Sequence, residues 1–250
     1  MNRKLILYIV SVFIFAIGLF FIQNGLNIAF EKISFTQFAP TLGFIITVLL
    51  FKDLFLPIKI IVNRFVLLKM FLAVIIPLVM CLIVYFIGIF FKLKIQIETN
   101  ISSMLLKMGI GLLIGAIAEE IGWRSFLQPT LEKKHSVFIS SVIVGLIWGL
   151  WHMNYYFNGI LFVLTFIIFS ISASIIIMYL LKETQYSIII SSLFHASINI
   201  SFRIFFGINL DSKILFYIFL INSIVWLLVA IIIAIYGKEY YFRSVKYNGT

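Results

Sequence analysis

The stretch AEEIGWRSFLQP, residues 118–129, places Glu119, Glu120 and Arg124 at the end of a long apolar run. Charged side chains are costly inside a bilayer, so the few that occur there mark functional positions or pairs between helices. Residues four apart lie on one face of a helix, so Glu120 can reach Arg124. Glu119 is rotated by about 100° from Glu120. We therefore expect one acid to pair with the arginine and the other to remain available for chemistry.

The composition indicates an integral membrane protein. The chain has 250 residues, of which 63% are hydrophobic and 11% charged, whereas a soluble domain carries about 25% charged residues. Apolar runs, most of them about long enough to cross a hydrocarbon core of about 30 Å as a helix, recur along the sequence. We expect an all-α polytopic membrane bundle with about eight transmembrane helices, forming a single domain over residues 1–250. The expected spans are 5–22, 38–51, 66–91, 101–127, 137–154, 158–181, 187–205 and 214–236.

The net charge of +10 is explained by Lys and Arg residues that flank the spans rather than by nucleic-acid binding. Most of these residues fall on the side of the membrane that holds the N-terminus. Because the expected number of spans is even, the C-terminus lies on the same side, and the positive-inside rule places both termini in the cytoplasm. The Ile-, Phe- and Lys-rich composition favours a multi-pass protein of a bacterial cytoplasmic membrane. We expect the basic and apolar connector 52–65 at the membrane interface and the polar tail 238–250 in solvent.

Other polar side chains lie inside apolar segments of the chain. His152 ends the run GLIWGLWH, and His195 stands one helical turn before Asn199 in SSLFHASINI. Trp148 precedes His152 by one turn and is interpreted as a packing residue. His135, in the basic connector EKKH, is interpreted as a surface residue.

Each of these residues also has a structural explanation when taken alone. A Glu–Arg pair can lock two membrane helices together, and a single His in an apolar helix is more often part of an interhelical hydrogen bond than a catalyst. The combination of two acids, an arginine, two histidines and an amide on three apolar segments favours a shared site. In such a site the free acid, Glu119, can act as the general base that activates a water molecule, and the histidines and the amide can stabilise an oxyanion.

At these residues the sequence resembles the CAAX-protease and bacteriocin-processing (CPBP, or Abi) family of intramembrane proteases. The family pattern is EExxxR, then FxxxH, then HxxxN or HxxxD, on successive membrane helices. EEIGWR at residues 119–124 and HASIN at residues 195–199 match in full. WGLWH at residues 148–152 matches except that Trp replaces Phe. The resemblance covers about residues 100–205, which would form the catalytic core.

The resemblance implies peptide-bond hydrolysis by glutamate-activated water in an eight-helix bundle. Its substrate would be a membrane-associated peptide or protein, and the bacterial relatives suggest pheromone or bacteriocin processing or self-immunity. The resemblance implies six catalytic residues: Glu119, Glu120, Arg124, His152, His195 and Asn199.

Two alternatives remain open at this point. A zinc ion held by Glu119, His152 and His195 is possible, although the missing HExxH and the nearby Arg124 favour a site without a cofactor. The chain is alternatively a non-catalytic immunity protein that sequesters a bacteriocin or its receptor. A solute or proton carrier is a further rival, but neither broken helices nor a repeated half is evident.

The expected spans place the candidate site residues at different depths in the membrane. His152 follows the start of the fifth span by about 15 residues, or roughly 22 Å, which puts it farther from the cytoplasmic face than the other site residues. Either the fifth span starts deeper than expected, or residues 125–137 fold back into the protein.

Overall fold

The computed structural model describes residues 3–30, 32–52, 64–207 and 210–242. Over these ranges the chain is helical and contains no strand, which confirms the predicted all-α bundle. Each of the eight expected spans coincides with a helix. The helices are α1 Arg3–Gly25, α2 Ala39–Phe51, α3 Arg64–Phe90, α4 Ile101–Glu132, α5 Val137–Trp151, α6 Ile160–Leu181, α7 Ile188–Phe206, α8 Ser212–Tyr236 and the short α9 Lys238–Tyr241.

The chain is a multi-pass membrane protein. Six of the described helices are long and apolar enough to cross a bilayer: α1, α3, α4, α6, α7 and α8. The other two apolar helices are shorter, namely α5 and α2 together with the 3₁₀ turn Phe35–Phe38 that precedes it. Helices are the expected solution, because a spanning segment must satisfy its backbone hydrogen bonds internally.

The structure describes part of the two polar segments. Residues 53–63 of the expected interfacial connector and residues 243–250 of the expected tail lie outside the described residues. In α9, Lys238 and Glu239 are exposed as expected, whereas the prediction of a solvated tail is wrong for Tyr241, which is buried. The hydroxyl of Tyr240 donates to the Met178 carbonyl at 3.0 Å, and that of Tyr241 donates to the Ile175 carbonyl. These aromatic side chains dock α9 onto α6 because each can bury its ring while its hydroxyl finds a carbonyl.

Helix α4 carries the acid pair and packs against several neighbours. It packs against α2 on one side and α7 on the other, while α7 also packs against α3. Helix α5 packs along α6, which in turn contacts α8. The elements that pack against α4, such as α2 and α7, can therefore direct side chains toward its acid pair.

The length of α4 explains how Glu119 and His152 can lie at a similar depth. The helix does not end near residue 127 as expected but continues to Glu132, through a π-helical turn at Trp123–Leu127. Glu119 therefore lies about 20 Å before the end of α4, and His152 lies about 22 Å after the start of α5 at Val137. Because the two helices are joined by a short turn, these lengths bring Glu119 and His152 to a similar level.

Small residues set the position of α5 against α6. A Cβ atom at Gly145 would lie 2.4 Å from the Ile171 Cα atom and 2.8 Å from the Ser170 carbonyl oxygen. One turn later, a Cβ at Gly149 would lie 2.5 Å from the Ser170 hydroxyl. Glycines at this spacing let two membrane helices approach through their backbones. The contact fixes the end of α5, from which His152 projects.

Replacing Gly145 with Ala should destabilise the protein, because the new methyl group meets the backbone of α6 and forces the helices apart. Overpacking of this kind costs about 1–3 kcal/mol, and thermal unfolding in detergent should show a lowered midpoint. Gly18→Ala in α1 is the matched control, since a Cβ there meets nothing within 4 Å. Equal unfolding midpoints for the two variants would contradict the close contact.

Candidate active site

The predicted charged residues of α4 all point into the protein. The exposed fraction is 1% for Glu119 and 0% for both Glu120 and Arg124. Arg124 Nε lies 3.4 Å from Glu120 Oε2, as the spacing of four residues predicts. The guanidinium group also lies over the ring of Trp148, 5.9 Å from its centroid. The pair is therefore a buried ion pair beside an aromatic face.

His195 joins the acid pair from α7. Its Nδ1–H donates to Glu120 Oε1 at 3.0 Å, and its Nε2 lies 3.8 Å from Glu119 Oε2. The imidazole therefore stands between the two carboxylates and is 3% exposed. His195 thus donates to one oxygen of Glu120, and Arg124 forms an ion pair with the other without a hydrogen bond.

Besides the approach of His195 Nε2, Glu119 accepts two hydrogen bonds, both from neutral side chains. Gln37 Nε2–H donates to Glu119 Oε1 at 2.9 Å, and Trp148 Nε1–H donates to Oε2 at 3.0 Å. The two adjacent acids are thus distinguished as the sequence predicts, with Glu120 as the charge-paired member. Hydrogen bonds from neutral donors stabilise a carboxylate without cancelling its charge.

Sequence reasoning missed the role of these two donors. Gln37 belongs to the turn before α2, and a single amide in a loop gives no signal of its own. Trp148 was interpreted as packing, and its ring does lie 5.0 Å from the ring of His195, centroid to centroid. The available signal was the departure from FxxxH, because an indole carries an N–H group that a phenyl ring lacks.

His152 lies at the end of α5, within an aromatic enclosure. Its Nδ1 is 2.9 Å from the Trp148 carbonyl oxygen, so Nδ1 carries the donated hydrogen and Nε2 carries the lone pair of the neutral ring. The ring stacks on Tyr155 at a centroid distance of 5.8 Å and contacts Phe166 at 4.6 Å. Trp148 lies next to both histidines, which places His152 on the same side of the bundle as the acids.

Asn199 follows His195 by one turn on α7 and is partly exposed. Its side chain makes no hydrogen bond to any described residue. The Arg124 guanidinium also lacks a hydrogen-bond partner among these residues, although it forms an ion pair with Glu120. The structure thus brings Glu119, Glu120, Arg124 and His195 into direct contact, and it joins His152 to them through Trp148. Asn199 is linked to this cluster of described residues only because it lies on the same helix as His195.

The three residues of the possible zinc site all have protein partners. Both oxygens of Glu119 accept hydrogen bonds from neutral groups, and Nδ1 of both His152 and His195 faces an acceptor, as Nδ1 of a zinc-bound histidine also does. Within the described ranges, no group of three or more His, Cys, Asp or Glu side chains is arranged to hold a metal ion. A catalytic zinc normally takes three protein ligands at about 2.0–2.2 Å.

The fold and site together define a polytopic helical membrane protein with a buried glutamate–histidine cluster. Comparison with known proteins supports the resemblance to the CAAX-protease and bacteriocin-processing family over part of the chain. Residues 101–201, which include every predicted site residue, match the family model described as Type II CAAX prenyl endopeptidase Rce1-like.

Curated proteins from archaea and bacteria are similar to part of the chain. CAAX prenyl protease 2 of Methanococcus maripaludis is 31% identical over 144 residues, which cover 53% of this chain and 51% of that protein. Lysostaphin resistance protein A of Staphylococcus haemolyticus is 33% identical over 174 residues, covering 66% and 47% respectively. The protein of the same name in Staphylococcus aureus strain Newman is 30% identical over 168 residues, covering 65% and 40%. The chain therefore spans about half the length of these relatives.

Replacing Arg124 with Met should strongly destabilise the protein, because it leaves the buried charge of Glu120 without its guanidinium partner. Removing one member of a buried pair costs about 3–5 kcal/mol, which thermal unfolding in detergent should reveal. Lys182→Met is the control, since Lys182 and Glu183 form an ion pair at 3.8 Å whose side chains are 38% and 62% exposed. Such surface pairs contribute about 0–1 kcal/mol. Equal losses in the two variants would contradict the structural importance of the buried pair.

Proposed function

We propose that the chain is an intramembrane endopeptidase of the glutamate type. The observation that carries the proposal is the unequal treatment of two adjacent buried acids. Glu120 is paired with Arg124 and His195. Glu119 accepts its two hydrogen bonds from neutral side chains, and His195 Nε2 lies 3.8 Å from it, beyond hydrogen-bond distance. A carboxylate held in this way is a base with a free lone pair on each oxygen, which is what activation of water requires.

In the proposed reaction, Glu119 removes a proton from a water molecule as the oxygen attacks the substrate carbonyl carbon. A new carbon–oxygen bond forms, and the carbonyl electron pair moves onto its oxygen. When the tetrahedral intermediate collapses, the carbon–nitrogen bond breaks and protonated Glu119 returns its proton to the leaving amine. Two peptides result, and Glu119 is ionised again.

The remaining residues support this sequence. His152 offers the lone pair of Nε2 as acceptor for the second hydrogen of the attacking water, which orients its oxygen. The amide N–H of Asn199, unbound by any described residue, is available to the developing oxyanion. Glu120 and Arg124 hold His195 beside Glu119, and the buried pair keeps the local charge balanced.

The substrate is proposed to be a membrane-associated peptide or protein, because the site lies within apolar helices. The setting is proposed to be the bacterial cytoplasmic membrane with both termini in the cytoplasm. One relative is named a CAAX prenyl protease and others are named lysostaphin resistance proteins. These names are compatible with peptide processing and with self-immunity, and we favour a peptide such as a pheromone or bacteriocin as substrate.

The second candidate function is sequestration of a bacteriocin or its receptor without catalysis. It is favoured by the resistance proteins among the relatives. The two functions differ in their dependence on Glu119, since binding alone does not require a base.

Glu119→Gln should abolish peptide release while the protein accumulates normally, because Gln preserves the shape but cannot accept a proton. Loss of a general base costs about 10²–10⁴-fold in rate. Proteomic comparison of peptides released by cells carrying each form measures the effect. Glu132→Gln is the matched control, since this third carboxylate of α4 binds Gln128 and Tyr186 away from the site. Protection that survives Glu119→Gln with no change in released peptides would establish sequestration instead.

Activity should survive removal of divalent metal, because the charge on Glu119 is stabilised by protein donors. The purified protein, reconstituted in vesicles and treated with a zinc chelator, should cleave a released peptide's precursor at an unchanged rate. A loss of activity that is restored by added Zn²⁺ would instead assign a metal to the site.

A further inference from the structure

Both oxygens of Glu119 are held by side chains that lie outside the matching motif residues of the family. Gln37 comes from the turn before α2, and Trp148 stands where the family pattern has Phe. We propose that Gln37 and Trp148 form a carboxylate clamp, a pair of positioning residues that fixes the plane of Glu119 for its proposed reaction. The catalytic part of this inference rests on the proposed function, whereas the two hydrogen bonds do not.

The turn that presents Gln37 is anchored by a second, fully buried glutamine. Gln23 Nε2 donates to the Ile33 carbonyl at 2.7 Å, and Gln23 Oε1 accepts from the Phe35 backbone N–H at 2.7 Å. Gln23 has an exposed fraction of 0%. The backbone on both sides of Ser34 is therefore tied to the end of α1, which limits the positions available to the side chain of Gln37.

Helix α4 has a gap in its surface that accommodates the Gln37 amide. A Cβ at Gly115, one turn before Glu119, would lie 2.1 Å from Gln37 Oε1 and 2.6 Å from Nε2. The three nearest atoms to that Cβ all belong to Gln37. Glycine at this position is therefore what allows the amide to lie against the helix and reach the carboxylate.

Trp148 is fixed by its helix and by its neighbours. The adjacent Gly149 lets α5 lie close to α6, while the indole ring contacts His195 and Arg124. Phenylalanine could make these ring contacts, but it could not donate to Glu119. Trp in place of Phe thus gives Glu119 one more hydrogen-bond donor, and the position still holds a large aromatic side chain.

The clamp has a specific chemical consequence. Each carboxylate oxygen has two lone pairs, and the clamp uses one on each oxygen of Glu119. The carboxylate can then no longer rotate, and the remaining lone pairs point in fixed directions toward a water molecule. Fixing a base relative to its substrate raises the rate of the chemical step more than it improves binding.

The hydrogen bond to Trp148 can be tested without any substrate. The chain has four Trp residues, so the indole N–H spectrum of the labelled protein in detergent contains few signals, and Trp148→Phe identifies the relevant one. That signal should lie at low field and move upfield in Glu119→Ala, while the Trp226 signal stays in place. Trp226 Nε1 has no hydrogen-bond partner among the described residues. A Trp148 signal that does not respond to Glu119→Ala would overturn the clamp.

The catalytic effect is tested with the peptide identified by the Glu119→Gln comparison. Gln37→Ala and Trp148→Phe should each lower kcat by roughly 5- to 50-fold and change KM by less than about twofold. Trp226→Phe, the same substitution at a buried indole without that contact, should leave both constants unchanged. Equal kcat values for wild type, Gln37→Ala and Trp148→Phe would overturn the inference.

Gly115 provides a second variant that acts through Gln37. Gly115→Ala should lower kcat as far as Gln37→Ala does, because the new methyl group displaces the amide, and it should have no further effect when Gln37 is already Ala. Effects that multiply in the double variant would mean that the two residues act independently and would contradict the clamp. If wild type and Glu119→Gln release the same peptides, the proposed function fails, and the spectrum alone then decides whether the clamp exists.

Discussion

The central constraint on this protein is the burial of two neighbouring carboxylates in an apolar bundle. A buried charge requires a partner or several hydrogen bonds, and adjacent residues on a helix face different directions. The partners of Glu119 and Glu120 must therefore come from different elements. Glu120 contacts its own helix and α7, and Glu119 accepts hydrogen bonds from the turn before α2 and from α5 while also lying 3.8 Å from His195 of α7. The acid pair thus explains why these elements converge on α4.

Close backbone packing makes this convergence possible. Between membrane helices there is little hydrophobic driving force, so association depends on small residues and interhelical polar contacts. Gly145 and Gly149 bring α5 against α6, and Gly115 admits the Gln37 side chain to the surface of α4. Polar contacts then select the rotation of each helix, because only one orientation places Trp148 and His195 on the acids. Packing and site geometry are two consequences of the same arrangement.

Much of the fold could be predicted because apolar runs of this length have few alternatives. All eight expected spans are helical, and the i, i+4 spacing correctly predicted the Glu120–Arg124 pair. The end of α4 could not be predicted, since the polar residues Gln128 and Glu132 suggest a boundary. In the structure these residues bond to each other, and Glu132 accepts from Tyr186, so the helix continues. Such tertiary partners are invisible in a sequence.

The candidate site was predictable to the extent that it uses rare residues. Acids, arginine and histidines stand out in an apolar chain, and the spacings of the EExxxR, FxxxH and HxxxN motifs identified them. Gln37 was not predictable, because its role depends on a loop that lies against Gly115. Trp148 illustrates a different limit, since a packing residue and a hydrogen-bond donor have the same pattern. Neither the roles of the site residues nor the substrate follow from spacing alone.

The proposed mechanism requires that Glu119 activates a water molecule and does not itself attack the peptide carbonyl. A single turnover of the reconstituted protein in water enriched in the heavy oxygen isotope tests this claim most directly. The account predicts that the heavy oxygen enters the new carboxyl terminus of the released peptide and does not enter Glu119. Heavy oxygen in the Glu119 side chain, or its absence from the first peptide released, would show that the carboxylate attacks the peptide bond and would contradict the account.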